Sequence, residues 1–362
     1  MFTNDNKKTE ALQDIKNGRK QPWKPKKVRN LILADSLHRL KENKKANRVW
    51  WCSMELGFLE PENSEKRLKS MHSCRERLCP ICGWRKSLKV FYQVSKVMNV
   101  VQERHKEMVP VFLTLTMKNC TDVELPKVLD DIFKGWYQFT KHRKTNRVIH
   151  GWFRALEVTY DGEKTISEKR YLGWKKEYDK KGVRPGDVNM NYNTFHPHIH
   201  TILLVEKGYF KSKDYMQTTE WVQMWRKACK LDYDPICDIR KVKNRPGKGK
   251  GVADVAKYTL KDTEFLTKDK QLTDKLVSVL GSALRGRRLY AFGGLLKKIA
   301  KELDVGELAE GDLINLDGEV REDVAEVVVI YRWHLGLANY IKDRSVIISK
   351  ARNQDENNKT DS

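Results

Sequence analysis

Phe195-His196-Pro197-His198-Ile199-His200-Thr201-Ile202-Leu203-Leu204-Val205 sets three histidines at alternate positions ahead of an apolar run. An apolar run of that length after a proline reads as a buried strand. Alternate side chains on a strand share a face, so His198 and His200 point the same way. Two imidazoles side by side on one face can hold one divalent metal. His196, which precedes Pro197, suits a supporting or phosphate-facing role better than a ligand's.

Working outward, the periodicity predicts an ordered set of elements. Trp84, Leu88, Phe91, Val94, Met98 and Val101 recur at helical steps. Val111–Thr116 is rich in strand formers. Leu129, Ile132, Phe133, Trp136 and Phe139 line a helix that Pro126 starts. Trp152–Tyr160 alternates as a second strand, and the histidine strand follows. Trp221, Met224, Trp225 and Ala228 mark another helix, Ile236–Arg240 a short strand, and Val252–Asp262 a final helix. The order β-α-β-β-α-β is that of a ferredoxin-like split βαβ palm, an α+β fold. About thirty mostly polar residues, 161–190, interrupt the middle hairpin as an insertion or long loop. Glu157 sits amid the adjacent strand Leu156-Glu157-Val158-Thr159. A hard Mg²⁺ or Mn²⁺ wants an oxygen ligand, and a carboxylate among apolar neighbours needs such a reason.

The cysteines form a second constellation. Cys74-x4-Cys79-Pro80-x-Cys82, with Cys52 upstream, has the spacing of a closed structural Zn²⁺ site. Cys52 is the expected fourth ligand and His72 its rival. Seven cysteines are odd in number, and the chain is too large to need disulfide staples. Arg75, Arg77, Arg85, Lys86 and Lys89 would turn this knuckle toward DNA.

Charge points the same way. With 71 Lys and Arg against 48 Asp and Glu, the formal net charge of +23 favours a polyanionic partner, nucleic acid above all. Residues 1–50 hold 14 basic side chains against 5 acidic, whereas 301–326 hold ten acidic against two basic. The loop Lys241–Lys250, with Lys243, Arg245, Lys248 and Lys250, is basic throughout and forms a candidate DNA contact. No apolar stretch is long enough to cross a bilayer, and the N-terminus carries no signal-peptide core, so a cytoplasmic protein is expected. The expected organisation is a basic, partly flexible arm over 1–45, a zinc knuckle and following helix over 46–105, and the palm over 106–265. A mixed, mainly helical region over 266–350 for origin or partner binding and a disordered tail over 351–362 complete it.

On the final helix, Asp254 and Tyr258 lie four apart and share a face, with Lys261 three further on. A phenol of pKa near 10 attacks phosphate only if the phosphate is polarised and positive charge is near. The metal suits the first need, and Lys257 or Lys261 the second.

Together, four segments resemble the replication initiators of small rolling-circle plasmids, in the HUH endonuclease superfamily. They are Cys74–Cys82, Phe112–Thr116, His196–His200 and Ala256–Asp262, in the family's order. The resemblance implies that His198 and His200 bind the catalytic metal and that Tyr258 is the nucleophile. Tyr258 would nick a single-stranded or extruded origin loop, leaving a 5′-phosphotyrosine and a 3′-OH that primes synthesis by a host polymerase, with a host helicase as a further partner. The family carries a glutamate four residues before the tyrosine, to activate water for termination; here that position is Asp254, one methylene shorter. Two other readings compete. A non-enzymatic zinc repressor explains the charge and the cysteines but leaves the histidines idle. A related transposase or relaxase shares the chemistry, yet common relaxases place the tyrosine before the histidines, and single-tyrosine transposases are shorter and lack the knuckle.

Overall fold

The computed structural model describes residues 10–60, 65–242, 261–305, 311–316 and 326–348. In chain order the elements are β1 (Ile15–Lys16), β2 (Arg19–Lys20), α1 (Trp23–Arg39), α2 (Asn43–Trp51), β3 (Glu55–Leu59), β4 (Arg67–Met71) and α3 (Pro80–Arg104). Then come β5 (Met108–Thr116), α4 (Leu125–Lys141), α5 (Arg143–Val148), β6 (Gly151–Asp161), α6 (Glu168–Gly173), α7 (Lys175–Lys180), β7 (Thr194–Glu206), α8 (Thr218–Cys229) and β8 (Cys237–Lys241). The last are α9 (Asp262–Phe265), α10 (Lys270–Ala283), β9 (Tyr290–Gly293), α11 (Gly294–Glu302), β10 (Glu326–His334) and β11 (Asn339–Ile348). The chain divides into two compact units, residues 1–82 with 312–362, and residues 83–311.

The second unit is the palm. Its sheet has the order β8-β5-β7-β6-β9, with every neighbouring pair antiparallel. The first four strands are the split βαβ arrangement, in which the third strand lies between the first and second; β9 adds a fifth strand beside β6. One face packs on α4 and α8 through aromatic side chains. The Phe139 ring lies 5.8 Å from Trp221 and 5.9 Å from Trp225, and Trp136 meets Trp152 edge-on at 5.1 Å. Trp225 is fully buried, and its indole Nε1 donates to the Thr116 carbonyl at the end of β5 (3.0 Å). The other face is apolar over half its length, where Phe153, Ala155, Ile202 and Leu204 pack with Val90, Val94, Val97 and Met98 of α3 and Leu296 and Ile299 of α11. The histidines lie further along that same face. The excursion between β6 and β7 is ordered: Arg170 makes a two-pronged ion pair to Asp161 (2.8 and 2.7 Å), and Asn189 donates to the same carboxylate.

The first unit holds a four-stranded antiparallel sheet of order β11-β10-β3-β4. Phe58 meets Trp23 at 6.0 Å and Tyr331 at 6.1 Å, all three buried. Two expectations are corrected here. Residues 23–39 form the helix α1, not a flexible arm, because Trp23, Leu33 and Leu37 anchor its buried face. The region 266–350 is not one mainly helical body: α10, β9 and α11 belong to the palm, while β10 and β11 complete the first unit's sheet. The apolar run Val327–Trp333 lies within β10.

Removing the Trp225 ring should unseat α8 and leave the Thr116 carbonyl without its donor. Trp225→Ala is expected to cost roughly 3–5 kcal/mol of palm stability, measured by urea unfolding. A loss below about 1 kcal/mol would contradict this packing.

Candidate metal centres and nucleic-acid surfaces

Register builds the first centre. Glu157 on β6 stands opposite His198 on β7, and Ala155 opposite His200, so the carboxylate and both imidazoles share one face. Glu157 Oε2 lies 3.2 Å from His198 Nε2 and 2.9 Å from His200 Nε2. These three residues offer ligand atoms within 4.8 Å of one another. Glu157 and His198 are each 8% exposed, so water can do little to screen them.

Hydrogen bonding settles which ring nitrogens face the site. A carbonyl only accepts, so the His198 Nδ1–H donates to the His196 carbonyl at 3.1 Å. That bond turns Nε2 of His198 toward the Glu157 carboxylate. His200 Nδ1 lies 3.1 Å from the Thr114 hydroxyl, which leaves its Nε2 aimed the same way. Two imidazole nitrogens and a carboxylate oxygen that converge on one point can hold a cation between them. The donor set suits a divalent metal of borderline or hard character.

Burial by itself would push the Glu157 carboxyl up. The hydrogen bonds with His198 and His200, with the charges of His198 and Lys261, outweigh it and hold the group well below the usual carboxylate range. Lys261 Nζ lies 3.3 Å from Glu157 Oε1 and 3.4 Å from Glu264 Oε1. Glu264 also accepts the Tyr160 backbone N–H (3.1 Å). His196 stacks on His198 with ring centroids 5.1 Å apart, and burial and the neighbouring His198 push its pKa down to about 4. It is not among the three convergent residues.

The second centre brings Cys52, Cys74, Cys79 and Cys82 together, all buried. Sulfur separations are 3.6 Å for Cys52–Cys82 and 3.7 Å for Cys74–Cys82 and Cys52–Cys79. A tetrahedron with Zn–S of about 2.3 Å has edges of about 3.8 Å, so the quartet fits that ion. His72 is exposed, and its Nδ1 bonds the Trp51 carbonyl (3.2 Å) instead of entering the cluster. The three sulfur neighbours hold the Cys52 thiol far down. Contact with Cys52 pushes Cys74 and Cys82 up, and burial does the same for Cys79.

Sequence reasoning missed the groups that support these centres. Lys27, fully buried, donates to the Trp50 and Cys52 carbonyls (2.7 Å each) and to Asn30 Oδ1 (3.0 Å). Burial lowers its pKa to about 8, although the charges of Cys52, Cys79 and Cys74 pull the other way. Asn30 Nδ2 donates to Cys79 Sγ at 3.3 Å. Thr114 could have been found, since it belongs to the strand paired with the histidines; Lys27 and Asn30 carry no motif.

Of the expected DNA contacts, Arg75 and Arg77 are exposed and Lys86 is half-buried. Arg85 is a correction. It is only 5% exposed and its guanidinium lies 5.5 Å from the Trp84 ring centroid, so burial withholds it from a phosphate. Lys243, Arg245, Lys248, Lys250, Asp254, Lys257 and Tyr258 lie outside the described residues. Among the described residues no helix is long and apolar enough to cross a membrane.

Comparison with known proteins places this geometry in context. A family model described as "Replication protein" matches residues 65–341, which include Glu157, His198 and His200 and three of the four clustered cysteines, Cys52 lying before its start. A "Protein rep" from Bacillus amyloliquefaciens is 32% identical, with 94% of this chain and 99% of that protein covered. A "Protein rep" from a Bacillus species is also 32% identical, over 82% of this chain and 94% of its own length. A "Replication protein" from Staphylococcus aureus is 32% identical over 68% of this chain and 96% of its own length. No solved structure matches the chain significantly. With its family model spanning most of its length and relatives aligned nearly end to end, the chain belongs to the Rep_1 family of replication proteins, in agreement with the resemblance of its motifs to rolling-circle plasmid initiators.

Proposed function

We propose that this protein initiates rolling-circle replication of a plasmid by nicking one strand of its double-strand origin. The observation that carries the reading is the buried convergence of Glu157, His198 and His200 with Lys261 at its edge. A structural or purely DNA-binding protein has no use for that arrangement. A repressor would have to bury a carboxylate against two imidazoles with no compensating task.

In this reading Glu157, His198 and His200 hold a Mg²⁺ or Mn²⁺ ion, which when bound withdraws charge from the non-bridging oxygens of the scissile phosphate. Tyr258 is the nucleophile. In the sequence it precedes by three residues Lys261, whose ammonium reaches Glu157. Its phenolic oxygen bonds to phosphorus as the bond from phosphorus to the 3′ oxygen breaks. The phenol gives up its proton, and the departing oxygen takes one to become the 3′-OH. One ester replaces another, so the 5′-phosphotyrosine conserves the bond for later religation. Lys257 and Lys261 lower the cost of the developing phenolate charge, and Asp254 is assigned the activation of water for the closing step. The free 3′-OH then serves a host polymerase, with a host helicase opening the duplex, in the cytoplasm. The cysteine quartet holds a structural Zn²⁺ ion, and Arg75, Arg77, Lys86 and the basic residues Lys243, Arg245, Lys248 and Lys250 contact DNA.

With an origin-strand oligonucleotide and Mn²⁺, the wild-type chain should form a protein–DNA adduct on a denaturing gel. Tyr258→Phe should lower cleavage by at least roughly 1,000-fold; equal cleavage by the variant would remove Tyr258 from its role. Replacing His198 and His200 together by Ala should abolish cleavage while duplex binding stays within about threefold; parallel loss of binding would make the box structural. Elemental analysis should find about one equivalent of zinc per chain. Because the ligands must shed protons that Cys74, Cys79 and Cys82 hold tightly, zinc affinity should rise with pH and fall on acidification. A zinc-free protein that unfolds at the same denaturant concentration as the loaded one would count against a structural site.

A further inference from the structure

Helix α2 has one buried and one open face. Ala46 and Val49 are buried, at 6% and 0% exposure. Asn43, Lys44, Asn47, Arg48 and Trp51 recur at helical steps on the other side, and all five are exposed. Trp51 is the telling member. Its indole is 56% open to solvent and so offers a ring face for stacking. It does not stand alone: Lys44, Asn47, Arg48, Trp51 and the exposed His72 line one open cleft of about 520 Å³. His72 is set against Trp51 by the bond from its Nδ1 to the Trp51 carbonyl, and Arg48 is oriented by an ion pair with Glu76. Trp51 directly precedes the zinc-ligand candidate Cys52, so the cleft is rooted on the cysteine quartet.

We infer that this cleft binds single-stranded DNA, with an unpaired base stacked on Trp51 and phosphates held by Lys44 and Arg48. The inference rests on the initiator reading above, which it deepens by adding a second DNA site on the unit that does not carry His198 and His200. Charge favours a polyanion, since residues 19–51 carry eleven Lys and Arg against two acids. The ring chooses the form of that polyanion. Base faces are closed off inside a duplex and open in a single strand, so an exposed indole bordered by cations fits the unpaired state. Asn47, between Arg48 and Lys44 on the same face, offers both a donor and an acceptor to a base edge.

The test uses the full chain carrying Tyr258→Phe, so that binding is measured without cleavage. The probes are a fluorescein-labelled thymidine oligonucleotide of about 20 nucleotides and a mixed-sequence duplex of equal length, followed by anisotropy. Trp51→Ala should weaken single-strand binding roughly 5- to 100-fold, whereas Trp51→Phe retains most of it. Lys44→Gln and Arg48→Gln should each reduce the salt dependence by about 0.7 in log–log slope. Duplex binding should change less than about twofold in all four variants. Single-strand affinity unchanged by Trp51→Ala, or a parallel fall in duplex affinity, would overturn the assignment. Failure of the wild-type chain, with Tyr258 in place, to form an adduct would instead undo the initiator reading, and this binding comparison would still stand.

Discussion

The pairing register between β6 and β7 is the constraint on which the rest depends. Glu157 meets His198 across the ladder, and a slip of one residue would send the carboxylate to the opposite face, among the aromatic rings of α4 and α8. The register is held from both sides. Apolar Phe153, Ile202 and Leu204 lock one half of the face under α3 and α11, and Trp225 ties the end of β5 to α8. A ligand set on adjacent strands needs such rigidity, because a shift of about 1 Å would spoil the convergence of Nε2 and Oε2.

The palm resolves a conflict that a buried carboxylate creates. Removing Glu157 from water raises its energy, and the imidazoles with Lys261 lower it again. The result is a preorganised negative charge, edged by one lysine, at the place where the proposed function puts a cation and then a phosphate. The cysteine quartet faces the opposite difficulty of too many anions if all four sulfurs ionise. Buried Lys27 and the Asn30 amide offset part of that charge, one through the Cys52 backbone and the other at the Cys79 sulfur.

Much of this was legible in the residues. The strands at 111–116, 152–160 and 196–205 and the helices between them emerge from simple period counting, since each buries a continuous apolar face. The alternation of His198 with His200 and the isolated charge of Glu157 were readable for the same reason. Helix α1 was not, and the cause is specific. Its buried positions include Lys26, Lys27 and Asn30, so the inward stripe looks polar in any count of hydrophobic residues. The pairing of β10 with β3 joins the two ends of the chain, and no local pattern encodes it. Arg85 was misplaced because a basic residue beside the cysteines looks like a DNA contact, whereas its helix turns it inward over Trp84. Trp51 passed unnoticed because only exposure separates a stacking surface from a core residue.

The central claim is that Glu157, His198 and His200 hold one metal ion at the site of phosphate chemistry. Crystals grown with Mn²⁺ and measured at the manganese absorption edge test it most directly. The account predicts an anomalous peak within coordination distance of His198 Nε2, His200 Nε2 and a Glu157 carboxylate oxygen. A peak elsewhere with none at this position, at a Mn²⁺ concentration that supports cleavage, would contradict it.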